Sequence, residues 1–132
     1  MEIKVLIADD HQIIHQALAL LFEDQPDINI IGNATDGDEA IRLSGELHPD
    51  IVLMDVSLGA SDGIAVTQEI RRRQPGSRVL MLSMYQDRCF FDRALAAGAK
   101  GYVTKIEAFD TLVNAIRLVF GGGMHFPGLQ PA

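Results

Sequence analysis

The chain has a single cysteine, Cys89, so no internal disulfide can form, and Met1 leads straight into a short apolar run rather than a secretion signal. Basic residues are scarce. Eleven lysines and arginines face eighteen aspartates and glutamates, giving a formal charge of -7. A chain so short of cations is poorly equipped to grip a phosphate backbone, so any nucleic-acid role would belong to another segment. No apolar run is long enough to span a bilayer. No His/Cys set has zinc spacing either. These absences leave a reducing, cytoplasmic protein without membrane contact as the expectation. The 132 residues, 48% of them hydrophobic and 22% charged, fit one globular domain that buries roughly two thirds of its unfolded surface.

What is present is organised around Asp50 to Asp55, which reads D-I-V-L-M-D. Four consecutive apolar residues after Pro49 read as a strand buried on both faces, and it stops on a carboxylate. Ile3 to Ala8 likewise delivers Asp9 and Asp10, Val79 to Leu82 delivers Ser83, and Tyr102 to Thr104 delivers Lys105. If these strands are parallel, their carboxyl ends share one edge of the sheet, where open α/β folds bind ligands.

The segments between them carry helical spacing. Ile14, Ala17, Leu18 and Leu21 predict a helix over Gln12 to Glu23, closed by Pro26. After a strand at Ile28 to Ile31, Asp36 and Glu39 resemble a capping box opening a helix to about Leu47. A loop from Val56 to Asp62 precedes a helix carrying Val66 and Ile70 inward and ending in three arginines, and Pro75-Gly76 is a turn. A fourth helix spans about Asp87 to Ala97 with Gly98 as its stop. A fifth runs from about Glu107 to Phe120, with Phe109, Leu112, Val113, Ile116 and Val119 on one stripe. Five alternating strands and helices imply a doubly wound parallel α/β sheet covered on both faces. From Gly121 neither period persists, so residues 1–120 read as the domain and 121–132 as a linker or frayed tail.

Taken singly, an aspartate after a strand reads as a cap. Asp9, Asp10 and Asp55 brought together would repel one another, and such crowding points to a bound cation. Magnesium fits an all-oxygen set that keeps room for phosphate oxygens. Lys105 and Ser83 suit a phosphoryl group. Asp55, alone at the end of the central strand, is the candidate nucleophile that would become an aspartyl-phosphate.

Asp9-Asp10, the stretch M-D-V-S-L-G-A-S-D-G around Asp55, Ser83, and Gly98 to Tyr102 running into Lys105 resemble the receiver domain of two-component response regulators. D-D-H-Q, L-S-M-Y and A-G-A-K-G-Y-V-T-K further resemble its NarL/FixJ (LuxR-type) subgroup, whose members usually continue into a helix-turn-helix domain. The resemblance implies a flavodoxin-like (βα)5 fold with strand order 2-1-3-4-5. It implies that Asp55 takes a phosphoryl group from a sensor histidine kinase. Asp10 and Asp55 would ligate Mg2+ directly, Asp9 through water, and Ser57 by its backbone carbonyl. Ser83, the Met84 amide and Lys105 would hold the phosphoryl oxygens. Ser83 and Tyr102 would form the switch that alters the face made by helix four, strand five and helix five, controlling transcription, with a phosphorylation-dependent homodimer as one outcome. The domain would be a phosphoacceptor, not an enzyme, and would reach DNA only through a domain outside this stretch.

Two positions depart from the family pattern: Gly59 and Ile106 stand where proline is usual, so a looser loop follows Asp55 and no cis bond is assumed before 106. Ser57 and Tyr85 occupy positions that tune phosphoryl lifetime in the family. His11 and His15 read as surface residues, Cys89 and Phe91 as packing, and Phe90 as a candidate partner contact. Three rivals compete with the phosphoacceptor. A haloacid dehalogenase phosphatase would need an acid where Ser57 stands, and a flavodoxin would not place Asp9-Asp10-His11 at its phosphate loop. A phosphorylation-independent interaction module stays open.

Overall fold

The computed structural model describes residues 2–84, 87–105, 107 and 109–127. In chain order the elements are β1 (Ile3–Ala8), α1 (Gln12–Phe22), β2 (Ile28–Ala34), α2 (Gly37–Leu47), β3 (Ile51–Asp55), β4 (Ser57–Leu58), β5 (Ser61–Asp62), α3 (Gly63–Arg73), β6 (Arg78–Ser83), α4 (Arg88–Ala96), β7 (Gly101–Thr104) and α5 (Phe109–Phe120). Five of the strands form one parallel sheet in the order β2-β1-β3-β6-β7. With the two-residue strands set aside, this is the expected 2-1-3-4-5 order.

The uninterrupted apolar runs have a simple cause. Successive strand residues point to opposite faces, and here both faces are covered. Leu6, Val52, Met54, Val79, Met81 and Tyr102 meet α2, α3 and α4 on one side. Val5, Ile7, Ile51, Leu53, Leu80, Leu82 and Val103 meet α1 and α5 on the other. Register then fixes the edge: Ala8 lies beside Met54, Asp55 beside Leu82, and Ser83 beside Thr104. The residue leaving each strand therefore emerges at a common level.

Helix starts follow their caps. Asp36 accepts from the Glu39 amide (2.8 Å), while the Glu39 carboxylate accepts from the Thr35 amide (2.8 Å), one residue earlier than the standard reciprocal bond. Asp87 accepts from the amides of Cys89 and Phe90, which makes it the cap of α4 rather than its first residue. Gly98 follows α4 at φ +96, as a left-handed stop requires.

Some expectations need correction. Phe109, placed on the core stripe, is half exposed in the first turn of α5, and the buried stripe begins at Leu112. Cys89, expected to pack, is exposed. Phe91 is buried as expected, and Phe90 is half-buried against the same core. Tyr85 and Ile106 lie outside the described residues.

The chain after α5 does not leave the domain at once. Gly122 turns at φ +100, and the segment runs back beside β7, the edge strand. The His125 amide donates to the Lys100 carbonyl (2.9 Å), and the Tyr102 amide donates to the His125 carbonyl (2.8 Å). Phe126 is buried, edge-on to Phe91 with ring centroids 5.0 Å apart. The stretch read as linker or tail is thus docked as far as Pro127. Its pairing is to another strand, which leaves no periodicity of its own to detect.

Candidate functional site

Asp55 ends β3 with both faces of its strand packed, and the carboxylate is nearly sealed from solvent. Immediately beyond it the backbone doubles back. Gly59 has φ +61 in the two-residue turn between β4 and β5, while Ala60 has no positive φ, the pattern of a type II′ hairpin. Proline, fixed near φ −65°, could not occupy that position. The departure from the family pattern therefore builds this hairpin instead of merely loosening a loop. Gly63 then brings the first turn of α3 against the strand end, where a Cβ would lie 1.9 Å from the Asp55 carbonyl oxygen. Its amide donates to the Val56 carbonyl (2.9 Å), and Asp62 caps α3 through the Ile64 amide (2.9 Å).

Around Asp55 the other strand ends converge. Lys105, carried by β7, places Nζ 3.1 Å from Asp55 Oδ2, to which it donates, and 2.8 Å from Asp9 Oδ2. The Ser57 amide donates to Asp55 Oδ1 (3.1 Å). Asp9 is fully buried, yet its Oδ2 accepts no hydrogen bond of good geometry among the described residues, Lys105 approaching it as an ion pair. Asp10 is exposed beside them, and Ser83 is buried at the end of β6, its carbonyl accepting from the Lys105 amide (2.7 Å). Met84 is exposed where that strand leaves the sheet. The structure thus gathers Asp9, Asp10, Asp55, Ser57, Ser83 and Lys105 at one edge, as parallel strands would.

His11 lies at the surface as expected, its side chain half exposed, and it borders the acidic cluster: Nδ1 lies 2.8 Å from Asp9 Oδ1, 3.3 Å from Asp10 Oδ1 and 3.6 Å from Asp55 Oδ2. The expectation for His15 needs correction. His15 is buried, with Nε2 donating to the Asp9 carbonyl (2.7 Å) and Nδ1 2.7 Å from Asn33 Oδ1. It braces the strand end that presents the acid pair. The available signal was position: His15 lies one residue after Ile14 and three before Leu18, on the inward side of α1. His15→Leu leaves the buried Asp9 carbonyl without that donor, and should lower stability by about 1–3 kcal/mol in urea unfolding.

The electrostatics separate the two buried acids. Burial pushes the Asp55 carboxyl up, the neighbouring Asp9 charge adds to this, and Lys105 only partly offsets them, so it sits at about 6. For Asp9 burial acts upward too, but Lys105 and the His11 amide outweigh it and hold the carboxyl below its ordinary range. The ligand atoms of Asp9, Asp10, His11 and Asp55 all lie within 4.8 Å of one another, and three carboxylates held this close beside the single ammonium of Lys105 offer hard oxygen donors that fit a divalent cation.

Tyr102, on β7, is buried. Burial raises its phenol above the ordinary range, and the hydroxyl is hydrogen-bonded to the Ser83 side chain. Ser83 thus stands between the acidic cluster and the aromatic face of β7.

Comparison with known proteins agrees with this geometry. The sequence profile of the response regulator receiver domain matches residues 5–117. The chain belongs to that family. Relatives of this receiver domain include the transcriptional regulatory protein LnrK of Bacillus subtilis strain 168, 39% identical over 95% of this chain and 57% of LnrK. The response regulator GacA of Pseudomonas aeruginosa is 36% identical over 91% of this chain and 56% of its own. The chain spans about half the length of these curated relatives. Among solved structures, a LuxR-family two-component response regulator from Aurantimonas sp. SI85-9A1 superposes with TM-score 0.90 at 36% identity, covering 95% of this chain and 89% of that one. A LuxR-family DNA-binding response regulator from Staphylococcus aureus gives TM-score 0.83 at 25% identity, over 89% and 98%. Among the described residues no helix is long and apolar enough to cross a membrane.

Proposed function

We propose that this receiver domain accepts a phosphoryl group on Asp55 from the phosphohistidine of a cytoplasmic sensor histidine kinase and uses it to control an output, in keeping with its similarity to transcriptional regulators. An Asp55 carboxylate oxygen attacks phosphorus, the bond from phosphorus to the donor's imidazole nitrogen breaks, and the released imidazole takes its proton from solvent. At neutral pH a carboxyl that titrates at about 6 is mostly ionised and able to attack. Lys105 Nζ, already 3.1 Å from Asp55 Oδ2, offsets charge on the phosphoryl oxygens, with the Ser83 hydroxyl and the Met84 amide as further donors. Asp10, Asp55 and the Ser57 carbonyl would hold Mg2+, with Asp9 acting through water. The ion, when bound, would neutralise charge on the transferred group.

The output runs through Ser83. Its hydroxyl is bonded to Tyr102, and turning toward a phosphoryl oxygen would alter that contact, changing the face made by α4, β7 and α5. That face is where a phosphorylation-dependent homodimer would form. DNA contact would belong to a segment outside this stretch, in keeping with its similarity to a transcriptional regulatory protein.

The observation that best supports the reading is Lys105 Nζ standing between two buried carboxylates from separate strands. Incubation with acetyl phosphate and magnesium should add the mass of one phosphoryl group to the intact chain. An unlabelled chain would favour the phosphorylation-independent module instead.

A further inference from the structure

We propose that the segment following α5 is a docked peptide whose hold on the edge of β7 is loosened when Asp55 is modified. The surface it occupies has two parts. One is the main-chain edge of β7, an end strand whose outward amides would otherwise be unpaired. The other is an aromatic floor made by Tyr102 and Phe91, whose ring centroids lie 5.7 Å apart. His125 takes the first through its bonds to Lys100 and Tyr102, and Phe126 takes the second by standing edge-on to Phe91. This is strand addition with one side-chain pocket, a recognised mode of peptide capture, performed here by the chain on itself.

The docked segment and the site share Tyr102. Its amide donates to the His125 carbonyl, while its hydroxyl is bonded to the Ser83 side chain. Its ring continues through Phe91 to Phe126. Beside the ring lies a cavity of about 190 Å³ lined by Asp87, Arg88, Phe91, Tyr102, Thr104 and Glu107, and closed on one side by Pro127. The Tyr102 hydroxyl is also bonded to the Asp87 backbone, on the wall of this cavity, so a ring that loses Ser83 stays held toward this space, and its shift is felt by the docked segment. Gly101 matters for the same reason: a Cβ there would lie 3.1 Å from the His125 carbonyl oxygen and 2.3 Å from Leu80. The bare strand face lets the segment sit close.

This inference rests on Asp55 being the acceptor, and the experiment keeps the two apart. Amide exchange is followed by NMR on the 132-residue chain, with and without magnesium and beryllofluoride as a phosphoryl stand-in, and fluorine NMR reports occupancy. At full occupancy the Tyr102 and His125 amides, the two donors of the edge pairing, are expected to exchange at least about 5-fold faster, while Val52 and Leu53 in the central strand stay unchanged. Equal or slower exchange at full occupancy overturns the coupling and leaves the acceptor assignment standing, as does acceleration shared by the central strand. Failure of beryllofluoride to bind sinks both. Linkage supplies the reciprocal measurement: Phe126→Ala should bind beryllofluoride more tightly by the same factor, and unchanged affinity in the folded variant counts against the coupling.

Discussion

Asp55→Asn is expected to take up no phosphoryl group from acetyl phosphate and, without divalent cations, to be more stable than the parent at pH 7. The first result follows from removing the nucleophile. The second comes from the burial that makes Asp55 titrate at about 6, above the ordinary carboxylate value of 3.8. A folded-state pKa above the unfolded one means the folded chain holds its proton more tightly. The corresponding stability is present below pH 4 and lost as pH rises through 6. At pH 7 the parent therefore carries the cost of an ionised, buried Asp55 next to Asp9. The amide removes that charge but also the attraction to Lys105, leaving a gain on the order of 1–3 kcal/mol. Urea titrations at pH 7 and pH 4 should show the gain at the first and little at the second. Equal stability at both would mean that Asp55 is not under electrostatic strain. Added magnesium should narrow the difference, because a ligand bound only by the folded parent stabilises it.

Lys105→Met is expected to do the reverse and do more. The methionine keeps much of the apolar stem, whereas the ammonium 2.8 Å from Asp9 and 3.1 Å from Asp55 disappears. Breaking one partner of a buried ionic group typically costs about 3–5 kcal/mol, since the remaining charges lose compensation without regaining water. The pH dependence follows from Asp9, whose carboxyl Lys105 helps to hold below its usual range. A lowered folded-state pKa gives stability above the unfolded value that is lost as pH falls through the folded one. In the variant that contribution is missing at neutral pH, so the gap should be widest near pH 7 and close as the solution is acidified past pH 4. Combining the changes is informative. In the Asp55→Asn background the cost of Lys105→Met should fall well below its value in the parent, because only one buried carboxylate is then exposed to the loss. Strict additivity would mean the lysine and Asp55 do not interact energetically.

Much of the fold was legible because each strand is clamped between two helical layers. Ile51 to Met54 has no polar residue to alternate with, and such a run ending in Asp55 reads directly as a buried strand with a reactive tip. Strand order was not legible in that way. Parallel neighbours are joined through helices, and nothing local to Ile3–Ala8 states that it lies between Ile28–Ala34 and Ile51–Asp55; that came only through family resemblance. The acid pair was legible because Asp9 and Asp10 follow one strand and Asp55 another, and three carboxylates brought to one sheet edge would repel one another without a cation. The role of His15 was missed because it is tertiary. His15 is held by Asn33, eighteen residues away, and by a carbonyl that no side-chain pattern reveals. The docking of His125 and Phe126 escaped notice for a related reason, since one bridge and one ring contact give no repeat. Phe109 failed the other way: its spacing matched the stripe, but it is the first residue of α5 and stands half exposed at the rim of a small cavity shared with Ile14, Leu82 and Val103.

The hairpin after Asp55 carries a consequence for how such a domain can change over generations. Its base is tied at both ends, by Gly63 against Val56 and by the pairing of Ser57 with Asp62, while Asp62 is also held by Arg93. Gly59 and Ala60 at the tip hang beyond these ties. Gly59 must keep its left-handed φ, but Ala60 can be exchanged, or residues inserted beside it, altering what an incoming donor meets at the mouth of the pocket while the acceptor's own alignment is inherited intact.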